Sequence, residues 1–421
     1  MKSYAFKMPP IQGSRRIEME QFEKTPFEIG GISAVGQLES RVSMLQIARS
    51  SLKRMRDELG EMQDFLSESL KDSAAMPTSL VENLLSGKLM KLKALSESAS
   101  FQGQTLLNGR SGVTGIVRGD GIRFVRGSAQ AQNSGVQGYT VSIEEEPKAA
   151  SLLGREPISE DSLAKESMLV LAEGNREVRF RIERGMDSSS LIEGLQRSLW
   201  KGGIEVSVYL TPDGRLAFLH NRAGRKARFQ GMSLKTRLIS HQPGNYSTSQ
   251  VGQDVAGRIG GEPATCEGGF LYGAGERTKG IQLYYEGKIA HPGQIVGYVE
   301  ILQKGVLVPL DATGQRQERL SLPALGPNYL SIGLGNRSGF TSLEETTASS
   351  LIERLDSLRL IEEAIRESNQ LSDELKQKED AYVQLAIHLL KEGAGPREAN
   401  QDLLIEKDKA QKMAQELAGM M

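Results

Sequence analysis

Apolar positions set the first division of the chain. Leu38, Leu45, Leu52, Leu59 and Leu66 repeat every seven residues, and Ala48, Met55 and Met62 fill a second column three residues on. A period of 3.5 held over four heptads predicts a coiled-coil-like helix over 37–70, about 50 Å long at ~1.5 Å per residue. Met76-Pro77 breaks it. A second helix follows at about 79–100 on Leu85, Leu89, Leu92, Leu95 and Ala99, and the short connection predicts that it runs back. The same spacing returns near the other end in Leu351, Leu355, Leu358, Ile361, Ile365, Leu371, Leu375, Tyr382, Leu385 and Leu389. That rod ends at Gly393 and Gly395-Pro396, and a shorter amphipathic helix is expected at 397–418. Isolated helices are marginal in water, so these stripes must pack on one another or on another copy. The simplest arrangement joins both chain ends in one antiparallel bundle. Residues 1–36 carry Pro9, Pro10, Gly13, Pro26, Gly30 and Gly31, which argues against a long helix there.

The middle is a different material. Short alternating runs separated by glycine and turn residues predict strands at 121–125, 139–143, 168–172, 178–182, 204–210, 216–219, 281–285 and 298–302. Thr211-Pro212-Asp213-Gly214 is a hairpin turn by its chemistry. Ser188–Trp200 is the one helical pattern inside, so 165–232 reads strand, strand, helix, strand, strand. The expected fold class is α+β: an elongated antiparallel helical bundle from both chain ends with inserted β-rich outer domains. The boundaries are 1–36, 37–110, 111–250, 251–344 and 345–421.

Composition narrows function. With 421 residues, 38% apolar and 5% aromatic residues, the chain has a high ratio of surface to core. Lys+Arg is 52 against 53 Asp+Glu, so no overall charge draws it to nucleic acid or to anionic membrane. No apolar run suffices for a membrane span, and the first residues lack the apolar core of a cleaved signal peptide. A single cysteine, Cys266 in the glycine-rich stretch 265–269, excludes an internal disulfide and reads as an unactivated thiol in a loop. His220, His241, His291 and His388 fit no local ligand spacing, and His388 reads as a flank residue of the rod. Gly333-Leu334-Gly335-Asn336-Arg337-Ser338-Gly339 lacks the lysine and register of a phosphate loop and reads as turn chemistry. Arg222, Arg225, Lys226 and Arg228 read as a solvated loop, and Arg118-Gly119-Asp120 as a charged turn. No catalytic, metal or cofactor-binding residue is expected. The candidate residues are bundle-packing positions: Leu45, Leu52, Met55, Leu59, Met62 and Leu66, faced by Leu351, Leu355, Leu358, Ile365, Leu375 and Tyr382.

Several segments are similar to one family. Ser98-Ala99-Ser100-Phe101-Gln102-Gly103-Gln104-Thr105-Leu106-Leu107-Asn108-Gly109 resembles the bacterial flagellin segment that leaves the N-terminal helix pair. Val251–Thr265, with Asp254-Val255 and Gly257, resembles a segment of large flagellins. Gly269-Phe270-Leu271-Tyr272-Gly273 follows it in the family's order. Ser338-Gly339-Phe340-Thr341-Ser342-Leu343 resembles the re-entry into the helical core. The 165–232 unit looks like the insert repeat shared by flagellins and filament-cap proteins. The resemblance covers roughly 37–390. It implies a nested fold, no enzyme activity and no cofactor. It also implies self-association or assembly with other flagellin-type subunits, with a flagellar export chaperone as a further partner. There is no nucleic acid and no membrane insertion. Location would be the extracellular flagellum, reached by type III export. Two readings follow: a structural filament subunit, or a non-polymerising flagellin-like accessory or binding protein lacking the inner-tube helices. Met62-Gln63-Asp64 stands where flagellins commonly carry an arginine read by an innate-immune receptor.

Overall fold

The computed structural model describes residues 26–71, 76–165 and 167–393, with side chains from 33 to 391. The expected helix at 397–418 and residues 1–25 lie outside them. The described chain mixes helix with a large β-rich part. Helix α1 spans Pro26–Lys71, α2 Thr78–Ser98, and α5 Leu351–Gly393; between them lie α3 (Glu160–Ala164) and α4 (Ser188–Lys201).

The heptad columns form α1 as expected, but the helix begins earlier than the sequence reading placed it. Proline is tolerated in a first helical turn, where its missing N–H has no intrahelical partner anyway. Glycines in a helix each cost about 1 kcal/mol, yet Ala34, Val35 and Leu38 are buried against the same core as the rest of α1 and offset that cost. α1 and α5 run antiparallel: Gln46 Nε2 donates to Glu379 Oε1 at 3.0 Å, Arg56 Nη1 to Asn369 Oδ1 at 2.9 Å, and Gln63 Nε2 to Glu362 Oε1 at 3.4 Å. α2 turns back along α1, with Lys88 bonded to Glu58 at 3.0 Å. Its inner face is Val81, Leu85, Leu92 and Ser96, and its outer face leaves Leu80, Leu84 and Met90 in solvent.

The strands are β1 (Ser100–Phe101), β2 (Gln104–Thr105), β3 (Val113–Gly119), β4 (Ile122–Gly127), β5 (Tyr139–Glu145), β6 (Ala149–Pro157), β7 (Met168–Glu173), β8 (Arg176–Arg181), β9 (Val206–Leu210) and β10 (Arg215–Ala223). They continue with β11 (Gln230–Ser233), β12 (Ser247–Thr248), β13 (Ala256–Ile259), β14 (Glu262–Glu267), β15 (Phe270–Gly273), β16 (Ile281–Tyr285), β17 (Gln294–Gln303), β18 (Val306–Pro309) and β19 (Gln317–Leu320). Every expected strand is present, and all pairings are antiparallel. The unit β7-β8-α4-β9-β10 does not form one sheet. β7 and β8 belong to a four-stranded sheet, β12-β11-β7-β8, and β9 and β10 to a three-stranded one, β6-β10-β9. α4 lies with both over a shared core of Leu169, Leu171, Leu195, Leu199, Val206 and Phe218. Asp187 caps α4 by accepting the Ser190 N–H at 2.7 Å.

The largest sheet has the order β3-β17-β5-β13-β14-β15-β16-β4. Its two end strands are consecutive in the chain, and the sheet curls until they face each other. Glycine makes that approach possible: a Cβ on Gly115 would stand 2.2 Å from the Phe124 ring, and one on Gly127 2.3 Å from Val113. Val141, Ile143, Leu271, Leu283, Tyr285 and Val299 fill the interior. Chain exit from the helices and return to them are tied together, since the N–H of Leu325 bonds the Leu107 carbonyl at 2.8 Å and that of Leu322 the Ser111 carbonyl at 3.0 Å.

Two corrections concern the middle. Cys266 lies in β14, opposite Leu271, and not in a loop; the turn is the Gly268-Gly269 pair beyond it. Burial pushes its thiol pKa up, which keeps it protonated. Arg222 is a half-buried residue of β10 and not part of a solvated loop: its guanidinium reaches Glu205 at 2.9 Å and Glu363 at 2.6 Å. The neighbouring Lys226 and Arg225 are nearer the expected loop, paired with Glu267 and Asp254.

Leu52→Ala should cost about 2–5 kcal/mol, the usual range for a fully buried leucine. The measurement is hydrogen exchange, with protection expected to fall across α1 and α5 and to hold in β5 and β17. Gly60→Ala should act in the opposite direction by about 0.5–1 kcal/mol, because the added methyl meets nothing within 4 Å.

Candidate functional site: the helix pair and its polar joint

Leu45, Leu52, Met55, Leu59, Met62 and Leu66 are each fully buried. Leu355, Leu358, Leu375 and Tyr382 are buried in the same core, and Leu351 and Ile365 pack on its margin. The structure therefore brings all twelve sequence-selected residues into one apolar core within a single chain. The far end of the pair is closed by the β18–β19 hairpin, which contributes Val308 and Leu320. There the Tyr382 hydroxyl donates to Glu318 at 2.5 Å, and Arg41 Nε to the Leu307 carbonyl at 3.3 Å. Burial and the Glu318 carboxylate both push the Tyr382 phenol well above its ordinary pKa.

The other half of α5 behaves differently. From Arg354 to Ile361 every residue is buried, charged ones included. One side faces α1; the other faces the β-rich lobes. Asp356 Oδ2 accepts both the N–H and the hydroxyl of Ser338, at 2.9 and 2.8 Å. Arg359 Nη2 donates to the Ile204 carbonyl at 3.2 Å. Glu363 takes Arg222 from β10 and Arg366 from its own helix. Glu367 Oε2 accepts the Ser331 N–H at 3.0 Å, while the Ser331 hydroxyl donates to the Leu360 carbonyl at 2.5 Å. These two bonds hold Ser331 at φ 62, a left-handed backbone that a non-glycine residue adopts only when its surroundings impose it. Burial pushes the Glu367 pKa up to about 7, with the Ser331 N–H opposing and Glu363 adding.

The loop 333–339 is turn chemistry, as its sequence suggests. The Asn336 side chain staples it, accepting the Phe340 N–H at 2.9 Å and donating to the Leu334 and Phe340 carbonyls. The loop sits against β9, where the Arg337 guanidinium lies 5.7 Å from the Tyr209 ring centroid.

His220 is buried beside a cleft, its Nε2 3.1 Å from Glu173 Oε1. Burial pushes the Glu173 carboxyl up, but the bonds from His220 and from the Glu205 N–H outweigh it and hold the pKa below its ordinary value. Bonded by two donors and paired with Arg176 at 3.3 Å, the Glu173 carboxylate is a poor proton acceptor. His388 is exposed on the outer side of α5. Among the described residues no group of three or more His, Cys, Asp and Glu could hold a metal ion. None of their helices is long and apolar enough to cross a membrane.

Sequence reasoning missed the polar joint. Arg354, Asp356, Arg359 and Glu363 fall between the leucines and look like a solvated face. The signal present was breadth: Leu358, Leu360 and Ile361 cannot share one narrow stripe, so the helix must be covered on more than one side.

Glu367 sets a pH dependence. Its native pKa, raised above the unfolded value, lets the folded chain hold more protons than the unfolded chain between about pH 4.5 and 7. Stability from this group is complete below that window and lost as pH rises through it. Glu367→Gln should remove at most about 3 kcal/mol of that slope, seen as urea midpoints that nearly coincide at pH 5, where the amide mimics the protonated carboxyl, and separate by pH 8 with the variant the more stable.

No protein-family profile matches the sequence, and no curated protein matches it. Solved structures that resemble it are flagellar proteins. The D1-D2-D3 domains of the flagellar cap protein FliD from Escherichia coli match with 13% identity and a TM-score of 0.33, over 60% of this chain and 63% of that one. FliC from Burkholderia pseudomallei matches with 10% identity and a TM-score of 0.28, over 81% and 99%. FlgL from Xanthomonas campestris matches with 10% identity and a TM-score of 0.25, over 92% and 98%. The chain thus spans less than two thirds of the cap-protein fragment. Similarity at this level is loose in three dimensions and carries no inference about activity.

Proposed function

We propose that this chain is a structural, non-enzymatic subunit of the bacterial flagellar filament or a protein closely associated with it, located outside the cell. The observation that carries the reading is the antiparallel pairing of α1 with α5, from opposite ends of the sequence, at whose root stand the flagellin-like segments 98–109 and 338–343. On this reading the described residues of 37–110 and 345–393 form a coiled-coil-like shaft. Residues 111–250 and 251–344 build the outer lobes jointly, because the eight-stranded sheet takes strands from both, and export follows the type III route with a dedicated chaperone.

Burial reassigns the work of the selected leucines. Leu52 and Leu59 are spent inside one chain, so their replacement would test folding before it tested assembly. Contacts between subunits fall instead to surface left free on the shaft. The outer face of α2 offers Leu80, Leu84 and Met90, at 47%, 40% and 66% exposure. An accessory protein that keeps the fold without polymerising is the second reading; the sequence ahead of α1, with Pro9, Pro10 and Gly13 and no apolar heptad, favours it.

The double variant Leu84→Glu, Met90→Glu should keep the circular dichroism and melting temperature of the parent and lose co-sedimentation with filament seeds. Parent protein that stays in the supernatant would support the accessory reading. Undiminished sedimentation of the variant would remove α2 from the assembly surface.

A further inference from the structure

Where β8, α4, β10 and α5 meet, a cavity of about 280 Å³ lies between α5 and the β-rich lobe. Its walls include two side chains more than nine-tenths buried, Asn221 at 4% exposure and Arg359 at 8%. Each has a nitrogen with no hydrogen-bond partner: Asn221 Nδ2 and Arg359 Nη1. Asn221 Oδ1 accepts from the Ser207 hydroxyl at 2.7 Å, leaving the donor end of the amide free, and Arg359 Nη2 bonds the Ile204 carbonyl at 3.2 Å. A buried donor left unmade costs about 1–3 kcal/mol, more when charged.

The imbalance has a direction. Among the described residues, the two fully buried side-chain atoms of this cavity that lack a hydrogen-bond partner are both donors. Water would bring hydrogens as well as lone pairs; an oxyanion brings lone pairs alone. Arg176 and Arg366 stand at the rim, each paired with a carboxylate, Glu173 at 3.3 Å and Glu363 respectively. Two carboxylates also line the space, each with one oxygen bonded: Glu205 Oε2 by Arg222 at 2.9 Å, and Glu362 Oε1 by Gln63 at 3.4 Å. The planar fork of arginine suits two-point recognition of an oxyanion.

We propose that this cavity binds a small oxyanion, a phosphate, sulfate or carboxylate group, held by Arg359 and Asn221. This goes beyond the structural role above and stands without it. A bound anion would satisfy donors on α5 and on β10 together, so occupancy would couple the lobe to the helix pair.

The protein carries its own reporter, since Trp200, the chain's one tryptophan, lines the same cavity. The full chain is titrated with inorganic phosphate and, separately, with acetate, at ionic strength held constant with chloride, following Trp200 emission and heat in parallel. A saturable response to either oxyanion is expected, at least tenfold weaker in Asn221→Asp, which keeps the acceptor used by Ser207 and replaces the free donor with a negative charge. Should that variant fail to fold by circular dichroism, Arg366→Gln, at the exposed rim, takes its place with at least a threefold loss. Absence of a saturable signal in both readouts, an equal response to chloride, or unchanged affinity in the folded variant would overturn the site and leave water as its occupant.

Discussion

Two apolar columns that cannot remain in water govern this structure. Burying a leucine is worth roughly 1.5–3 kcal/mol, and α1 and α5 bring such residues from positions some three hundred apart in sequence. Closing so large a loop is affordable because loop entropy grows only with the logarithm of length. Once the columns meet, the rest of the topology is constrained. Everything between must depart from the helices and come back to them at one place, and the bonds between 107–111 and 322–325 mark it. The β-rich lobes then combine local hairpins such as β9–β10 with long-range pairings such as β3–β17 and β4–β16.

The two halves of α5 differ in chemistry. Against α1, toward its C-terminal end, the contact is leucine, alanine and one tyrosine, with polar groups only at the margins. Against the lobes it is arginine, aspartate, glutamate and serine, joined by hydrogen bonds and incompletely satisfied. Leucine packing tolerates small shifts at little cost, whereas each bond of the polar contact prescribes one position. Ser331 illustrates this: its backbone is forced into an unfavourable region so that it can reach both Glu367 and the Leu360 carbonyl. Register along the helices is set by apolar periodicity, while orientation of the lobes on them is set by charge.

Much of the fold was legible in the sequence because its signals are local. Seven-residue spacing gave α1 and α5, alternation gave the strands, and Thr211–Gly214 gave the β9–β10 turn. What was not legible depended on partners far along the chain. The start of α1 was missed because glycine and proline were weighed by propensity, without the burial of Ala34 and Val35. Cys266 was placed in a loop because its neighbours are glycines, although its ladder partner Leu271 makes it a strand residue. Arg222 looked solvated because both of its acids lie elsewhere, one on α5. No period could have reported that Asn221 and Arg359 would face one cavity.

The seam between β3 and β4 has a consequence for behaviour in a crowded solution. A long open sheet presents a row of unpaired amides and carbonyls, which invites strands from neighbouring molecules. Here the first and last rows of the eight-stranded sheet are turned toward each other, and Gly115 and Gly127 let them approach closely enough to shield the gap. Side-by-side accretion of copies through this sheet is thereby discouraged, which leaves the choice of neighbour to side chains displayed on helices.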